Sequence, residues 1–460
     1  MNILSLLALS LPVLTGTIIV HLLWIGKNNL VELAIKLSLG IGIGLGISSL
    51  LYFVYLILFA ASPYFLYVEL ALFFTVLAVI FLKYKKIVHA PSRRLSLNFL
   101  QIAILGIAGL VSVSSFIGLV IQSRQRAHGN WDAWMIYNRS ARFIYRSQEW
   151  QDAFSKDMNV MFHADYPPLL ALNIASSWDI LGGETTYVPA FQSFLFLLAS
   201  LGLCFGALAS LKSLGQAGLG LIFLSGIPFF IGEGGNQQAD VPLAFYILAS
   251  VVFLFFYYRE KRAALMAFAG FAAGLSAWTK NEGVLFLCAS VGIMVVVTFW
   301  KRSFRDLLLY FSGLLVPLAL ILYFKFQIAP PSEFFSGGSS KIIQDIMDSS
   351  RHQMIFNSFK NFLLHGSGWN NIGVYVILCV YFLLFHSCIK DNRDVVFIAL
   401  AIFVCQITGY YVLYLISPYD LQWHLSYSLD RLFVQIYPAI VFVVLIASQS
   451  PEKIFSSSLE

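Results

Sequence analysis

The sequence predicts an all-α polytopic membrane protein, and three observations support this fold class. Of the 460 residues, 59% are hydrophobic and 11% are charged, whereas a soluble globular chain carries about 25% charged residues. Apolar runs long enough to cross a bilayer as helices recur along the whole chain. Most basic residues lie in the short connections between these runs, which is how membrane topology is set. The net charge of +6 is therefore no sign of nucleic-acid binding, and no nucleic-acid partner is expected.

Thirteen apolar runs predict about thirteen transmembrane helices. The runs are 3–24, 31–59, 64–83, 99–122, 187–210, 216–232, 240–258, 263–279, 283–300, 306–328, 371–389, 395–416 and 432–448. Within the second run, glycines at positions 40, 42, 44 and 46 indicate close packing of that helix against its neighbours.

The distribution of lysine and arginine predicts the orientation. If the N-terminus lies outside, the connections that face the cytoplasm hold 17 basic residues. The short outer connections at 60–63, 233–239 and 280–282 hold one, Lys280. Because basic residues favour the cytoplasmic side, we expect an outer N-terminus and a cytoplasmic C-terminus. A bacterial inner membrane is the expected location.

Two long segments, 123–186 and 329–370, remain on the outer side. In the first, one helical face is mainly apolar and another is charged, which predicts an amphipathic helix at the membrane surface. The apolar face carries Ala133, Ile136, Tyr137, Ser140 and Ile144, and the charged face carries Asp132, Arg139, Arg142 and Arg146. The second segment shows a similar pattern around 353–364.

Five polar stretches lie at the outer ends of apolar runs. They are Asp132 with its neighbours, HADYPPLL (163–170), GGNQQADVPLAF (234–245), WTKNEG (278–283) and WHLSYSLDR (423–431). Ionisable groups at membrane depth are costly and tend to mark function. Since the predicted topology places all five on one side, we expect an active site on the extracytoplasmic face.

Each stretch also has a structural interpretation. Asp132 could be a solvated charge at the start of a surface helix, where a carboxylate is favourable. Trp131 and Trp134 could be interfacial aromatics rather than a platform for a sugar. Asp240 could cap the helix that begins there. The turn around Lys280 could be a small salt-bridged hairpin.

Two stretches indicate ligand contact more directly. Arg431 enters the last apolar run, and a cation at that depth needs an anionic partner from the protein or from a ligand. His424 lies seven residues earlier, on the same helical face. His163, Asp165 and Tyr166 form either a turn before two prolines or a loop that faces a ligand.

These residues fit one kind of chemistry better than another. Hydrolysis of a glycoside usually requires two carboxylates, one of which protonates the leaving group. Displacement of a sugar from a lipid phosphate needs one base for the acceptor and cations for the phosphate. One exposed carboxylate and several cations near the lipid boundary match the second reaction. No metal-ligand spacing or glycine-rich phosphate loop is present in the sequence.

The motifs resemble the GT-C superfamily of membrane glycosyltransferases, in particular the protein O-mannosyltransferases and the lipid A aminoarabinose transferases. Three segments carry the resemblance: YPPL at 166–169, ADVPLAF at 239–245 and GLSAWTKNEG at 274–283. The resemblance covers about 99–330, with a further match at 417–440.

The resemblance implies an inverting transfer of a single sugar from a polyprenyl-phosphate donor to an extracytoplasmic hydroxyl of a glycan, lipid or protein. Asp132 would be the catalytic base, and Asp240 a second acidic residue on the acceptor side, together with Asp165 and Tyr166. Lys280, His424 and Arg431 would face the donor phosphate. His163, Asn281 and Glu282 would support the site, and Trp131 and Trp134 are candidates for a sugar platform.

The resemblance also divides the chain. Residues 1–98 would add three N-terminal transmembrane helices to a GT-C module at 99–328, whose first outer loop is 123–186. An outer loop with an interfacial helix (329–370) and C-terminal transmembrane helices (371–460) follow. An acidic pair often found in the family is here Asp132 followed by alanine. We therefore expect no obligatory metal or other cofactor.

Two alternatives belong to other classes of function. A transporter or flippase of a lipid-linked saccharide usually shows internal repeats and a midplane site, and the sequence has no evident repeat. A transferase or ligase of a lipid-linked oligosaccharide is the other alternative. The absence of a large outer domain to read a peptide acceptor makes single-sugar transfer the preferred prediction.

Overall fold

The fold is described from a computed structural model. It describes residues 3–24, 29–60, 63–84, 97–158, 163–335, 338–366, 372–385 and 392–452. In these residues the chain forms eighteen α-helices. They are α1 (Ile3–Leu23), α2 (Leu30–Phe59), α3 (Phe65–Tyr84), α4 (Phe99–Gln125), α5 (Asn138–Arg146), α6 (Leu169–Leu181), α7 (Tyr187–Leu211), α8 (Leu214–Ser225), α9 (Pro228–Gly235), α10 (Asp240–Glu260), α11 (Ala263–Thr279), α12 (Asn281–Lys301), α13 (Phe304–Tyr323), α14 (Gly338–Met347), α15 (Ser349–His365), α16 (Val374–Leu384), α17 (Arg393–Leu415) and α18 (Leu421–Ala447).

The predicted all-α membrane fold is confirmed. Within the described part of the chain, nine helices are long and apolar enough to span a bilayer: α2, α3, α4, α7, α10, α12, α13, α17 and α18. The other four predicted runs also correspond to helices. Three are shorter apolar helices (α1, α11 and α16), and the fourth is the pair α8 and α9, which is bent by 67°. The exact number of thirteen spans stays a prediction.

Helix α10 is the centre of the protein. Its residues from Asp240 to Tyr257 are all buried, and it packs against α2, α7, α11 and α18. A helix that is apolar on every side is stable only when neighbours surround it. Since α10 begins at Asp240, this central position carries that carboxylate into the interior at one end of the bundle.

The glycines of α2 confirm the predicted close packing. A Cβ atom on Gly40 would lie 2.1 Å from Thr17 Oγ1 of α1. On another face of α2, a Cβ on Gly42 would lie 1.9 Å from a ring carbon of Phe245 in α10. Small residues let helix backbones approach closely, so α2 fits between α1 and the central helix.

The first outer segment forms the predicted helix, but not as one regular helix. All five residues predicted on its inner face are buried. Residues 133–137 form a π-helical turn before α5, so the segment carries one residue more per turn there. On the charged face, Arg142 and Arg146 pair with Glu184. The second outer segment contains α15 where the pattern around 353–364 predicted a helix.

The following helix, α6, is held against the N-terminal helices. The Tyr52 hydroxyl of α2 donates a hydrogen bond to the carboxylate of Asp179 near the end of α6. Burial raises the pKa of Asp179 to about 6. The N-terminal helices therefore contact the outer segment as well as the central helix.

Candidate active site

The loop before α5 places Asp132 next to the start of α10. The Asn130 N–H donates to the Asn236 carbonyl at 3.0 Å, and the Gln237 side chain donates to the Ala127 carbonyl at 3.1 Å. Gly129 has φ +75°, and a Cβ there would lie 2.5 Å from the Asn236 carbonyl oxygen. Glycine suits both this left-handed backbone and this close approach. Two loops that are distant in sequence are thereby locked together.

Arg431 joins two carboxylates. Its Nη2 lies 2.7 Å from Asp132 Oδ2 and 2.8 Å from Asp240 Oδ2, and its Nε lies 3.0 Å from the same Asp240 oxygen. The sequence argument required an anionic partner for Arg431, and the protein supplies two. The side chains of Asp132 and Arg431 are 21% and 19% exposed, whereas that of Asp240 is fully buried.

Asp240 is fully engaged by the protein. Besides Arg431, its carboxylate accepts hydrogen bonds from Lys280 Nζ at 2.9 Å and from Gln435 Nε2 at 2.7 Å. The carboxylate is thus used for contacts between helices, and the capping interpretation is wrong. A buried carboxylate with this many charged and polar donors stays ionised and well fixed.

Lys280 forms the one-residue link between α11 and α12. Its ammonium group also lies 2.9 Å from Glu282 Oε1. Burial alone lowers the pKa of Lys280, but the charges of Asp240 and Glu282 raise it above its ordinary value. The lysine is therefore a fixed positive charge behind Asp240.

The 163–170 stretch joins the same cluster through Asn281. The Asn281 side chain donates to Asp165 Oδ2 at 2.7 Å and accepts from Lys325 Nζ at 2.7 Å. The rings of His163 and Tyr166 stack with centroids 4.8 Å apart. Lys280 Nζ lies 5.9 Å from the Tyr166 ring centroid, within cation–π range. Contacts therefore connect all five polar stretches on one side of the bundle.

The remaining predicted site residues lie at the edge of this cluster. Trp131 and Trp134 are each 44% exposed, and their rings meet edge to face with centroids 6.4 Å apart. His424 Nδ1 lies 2.8 Å from Ser417 Oγ. The His424 ring also contacts Tyr414 and Tyr419. In the described part of the chain, the hydrogen bond of His424 and the ring contacts of these three residues are therefore with neighbours outside the ion-pair cluster.

Three residues of the cluster were missed by sequence reasoning. Gln435 lies one helical turn after Arg431, so the i, i+4 spacing could have found it. Lys325 lies within an apolar run, where a cation is itself a signal. Glu233, which is buried and accepts from Asn236 Nδ2 at 3.0 Å, directly precedes the 234–245 stretch at the end of an apolar run, so the rule that found that stretch could have found it.

Among the residues described, no three His, Cys, Asp or Glu side chains are grouped so as to hold a metal ion. The expectation that no metal is obligatory stays a prediction.

The structure combines a polytopic helical bundle with a cluster of carboxylates and cations near the ends of several helices. Residues 165–324 match the model of the dolichyl-phosphate-mannose-protein mannosyltransferase family, and this match supports the resemblance predicted from the sequence. The matched region contains Asp165, Asp240 and Lys280 and covers about a third of the chain. No curated protein matches the chain, and no solved structure does.

Proposed function

We propose that this protein transfers a single sugar, with inversion, from a polyprenyl-phosphate donor to an acceptor hydroxyl on the extracytoplasmic face of the membrane. The observation that carries the proposal is the position of Arg431 between Asp132 and Asp240. It puts a partly exposed carboxylate, which can accept a proton, next to a guanidinium, which can bind a phosphate.

The two carboxylates have different roles in this proposal. Asp132 is partly exposed and, among the residues described, is paired with Arg431 alone. It is the base that takes the proton of the acceptor hydroxyl as the oxygen attacks the anomeric carbon. Asp240 is buried and shared by three donors, so it positions Arg431 and Lys280 and keeps both charged. Asp165, which is bonded to Asn281, and Tyr166, which lies against Lys280, hold the acceptor.

The cations act on the leaving group. The sugar–oxygen bond to the phosphate breaks, and the polyprenyl phosphate leaves as an anion without being protonated. Arg431 makes the direct contact with that phosphate, and Lys280 adds its charge from behind Asp240. Fixed charges aimed at developing negative charge are among the largest contributions to catalysis. His424 lies seven residues before Arg431 along α18, towards the outer end of the donor site.

Phosphate binding and base activation are coupled by Arg431. The guanidinium of Arg431 occupies Asp132 Oδ2, an oxygen that could accept the proton, at 2.7 Å. When the donor phosphate binds Arg431, it competes with Asp132 for that charge. The donor therefore frees the base, so we expect the donor to bind before the acceptor is activated.

The test uses proteoliposomes that contain the purified protein and radiolabelled polyprenyl-phosphate mannose or glucose. Envelope glycans, glycolipids and proteins are offered as separate acceptor fractions. We expect the label to move from the lipid to one fraction. Asp132→Asn should reduce the rate by about 10²–10⁴-fold, as loss of a general base does. The matched variant Glu184→Gln, which changes a carboxylate outside the cluster, should keep the rate.

Other outcomes would reject the proposal. Full activity of a folded Asp132→Asn variant would remove the base assignment. Label that crosses the bilayer while still attached to its lipid would favour a flippase. The position of the charged cluster at helix ends, rather than near the middle of the bundle, argues against that alternative.

A further inference from the structure

The hydroxyl group of Tyr137 is buried beside the carboxylates without a partner. Tyr137 is 3% exposed, and no hydrogen-bond partner for its hydroxyl lies among the residues that the structure describes. Buried tyrosine hydroxyls usually find a partner, because leaving the group unsatisfied is unfavourable. The described part of the chain therefore leaves this buried donor unused.

The π-helical turn after Asp132 is what places this hydroxyl. In a regular α-helix, at about 100° per residue, Tyr137 would lie about 140° around the axis from Asp132. In the π-helical turn the Asn138 N–H bonds to the Ala133 carbonyl, five residues back. The wider turn moves Tyr137 towards the face of Asp132. Such turns occur frequently at functional sites.

The carboxylates of Asp240 and Asp132 and the guanidinium of Arg431 lie close enough to Tyr137 to act on its hydroxyl. Burial raises the pKa of Tyr137 well above its ordinary value, and the charges of Asp240 and then Asp132 raise it further. The hydroxyl is therefore a neutral donor at every physiological pH. The side chains of Arg431, Lys280 and Gln435 already occupy the carboxylate of Asp240.

We propose that Tyr137 donates a hydrogen bond to an oxygen of the sugar phosphate of the bound donor. This inference rests on the proposed function. The donor fits better than the acceptor because Tyr137 is buried, and the charges that act on its hydroxyl include the guanidinium of Arg431. The acceptor comes from the water side, where Trp131 and Trp134 are exposed. In this role Tyr137 fixes the sugar phosphate against Arg431, in line with Asp132.

The experiment compares Tyr137→Phe with the wild type and with Tyr310→Phe. The control hydroxyl is equally buried but has a partner, Ser290 Oγ at 2.9 Å in α12. Binding of polyprenyl-phosphate mannose or glucose is measured by native mass spectrometry, which does not depend on turnover. Transfer rates are measured over a range of donor and of acceptor concentrations, and thermal unfolding is followed in parallel.

We expect Tyr137→Phe to weaken donor binding by about tenfold, which is typical of one lost hydrogen bond to a charged group. The acceptor KM and the melting temperature should stay as in the wild type, and Tyr310→Phe should bind the donor normally. Unchanged donor binding by Tyr137→Phe would overturn the inference. So would a loss confined to the acceptor KM, or a melting temperature that falls by more than in Tyr310→Phe.

The outcomes separate this inference from the proposed function. If the wild-type protein binds the donor but transfers nothing, the proposed function fails. The change in donor binding by Tyr137→Phe then still decides the role of the tyrosine. If the wild-type protein does not bind either donor lipid, both proposals fail.

Discussion

The substitution Asp240→Asn is expected to act on stability, whereas Asp132→Asn is expected to act on catalysis. Asp240 is fully buried and holds Arg431 and Lys280. Removal of one partner from a buried ion pair costs about 3–5 kcal/mol. Because Lys280 keeps Glu282 and Arg431 keeps Asp132, we expect the lower end of this range, about 3 kcal/mol.

The effect of Asp132→Asn on stability should be much smaller. Its ion pair with Arg431 is partly exposed on both sides, and exposed pairs contribute about 0–1 kcal/mol. For a chain of this length we expect the melting temperature to fall by about 3–6 °C in Asp240→Asn and by about 1 °C or less in Asp132→Asn.

The assay is thermal unfolding of the two purified variants in one detergent, followed by tryptophan fluorescence. Both variants are also tested for sugar transfer below their melting temperatures. A melting temperature of Asp240→Asn within 1 °C of the wild type would refute the reasoning, since it would mean that the buried carboxylate is not needed to neutralise its cations. An equal loss of stability in both variants would refute it as well.

Two further predictions concern the N-terminal helices. Gly40→Val should lower the melting temperature by several degrees, because its Cβ would meet Thr17 at 2.1 Å and overpacking costs about 1–3 kcal/mol. The matched change Gly106→Val meets nothing within 4 Å, and an equal loss there would contradict the packing argument. Asp179 has a pKa of about 6, raised by burial, so its protonated form is favoured in the folded state. The stability that it contributes is present below pH 4 and is lost as the pH rises through 6. At pH 8, Asp179→Asn should therefore have a higher free energy of unfolding than the wild type, by up to about 3 kcal/mol, and a higher melting temperature. At pH 4 the two proteins should unfold at similar temperatures. The same difference in melting temperature at pH 4 and at pH 8 would contradict the raised pKa of Asp179.

The architecture of the protein follows from signals that act over long stretches of sequence. The length of an apolar run fixes the length of a helix, and the asymmetry of basic residues fixes which ends share a side. These two rules were enough to predict Asp132, Asp240 and Arg431 at one end of the bundle, and the structure brings their side chains together. They hold whatever the details of packing are.

The pairing within the site could not be predicted in the same way. Whether Arg431 meets a ligand or a carboxylate depends on distances between helices, which hydropathy does not encode. The π-helical turn adds one residue to a helix without changing its composition, so periodicity alone did not show it. The sequence predicts one straight run at 216–232, but the structure bends between α8 and α9. Pro228, the first residue of α9, lies directly after this bend.

The two glycine faces of α2 have a consequence for how the protein can be divided. Gly40 and Gly44 pack against α1, whereas Gly42 packs against Phe245 of α10 and Gly46 against Leu275 of α11. A shortened chain that began at α4 would leave Phe245 and Leu275 facing lipid. It would also remove α2, against which α10 packs. Helices α1 and α2 therefore belong to the packed helical body and are not a detachable anchor. A minimal version of this protein has to retain them.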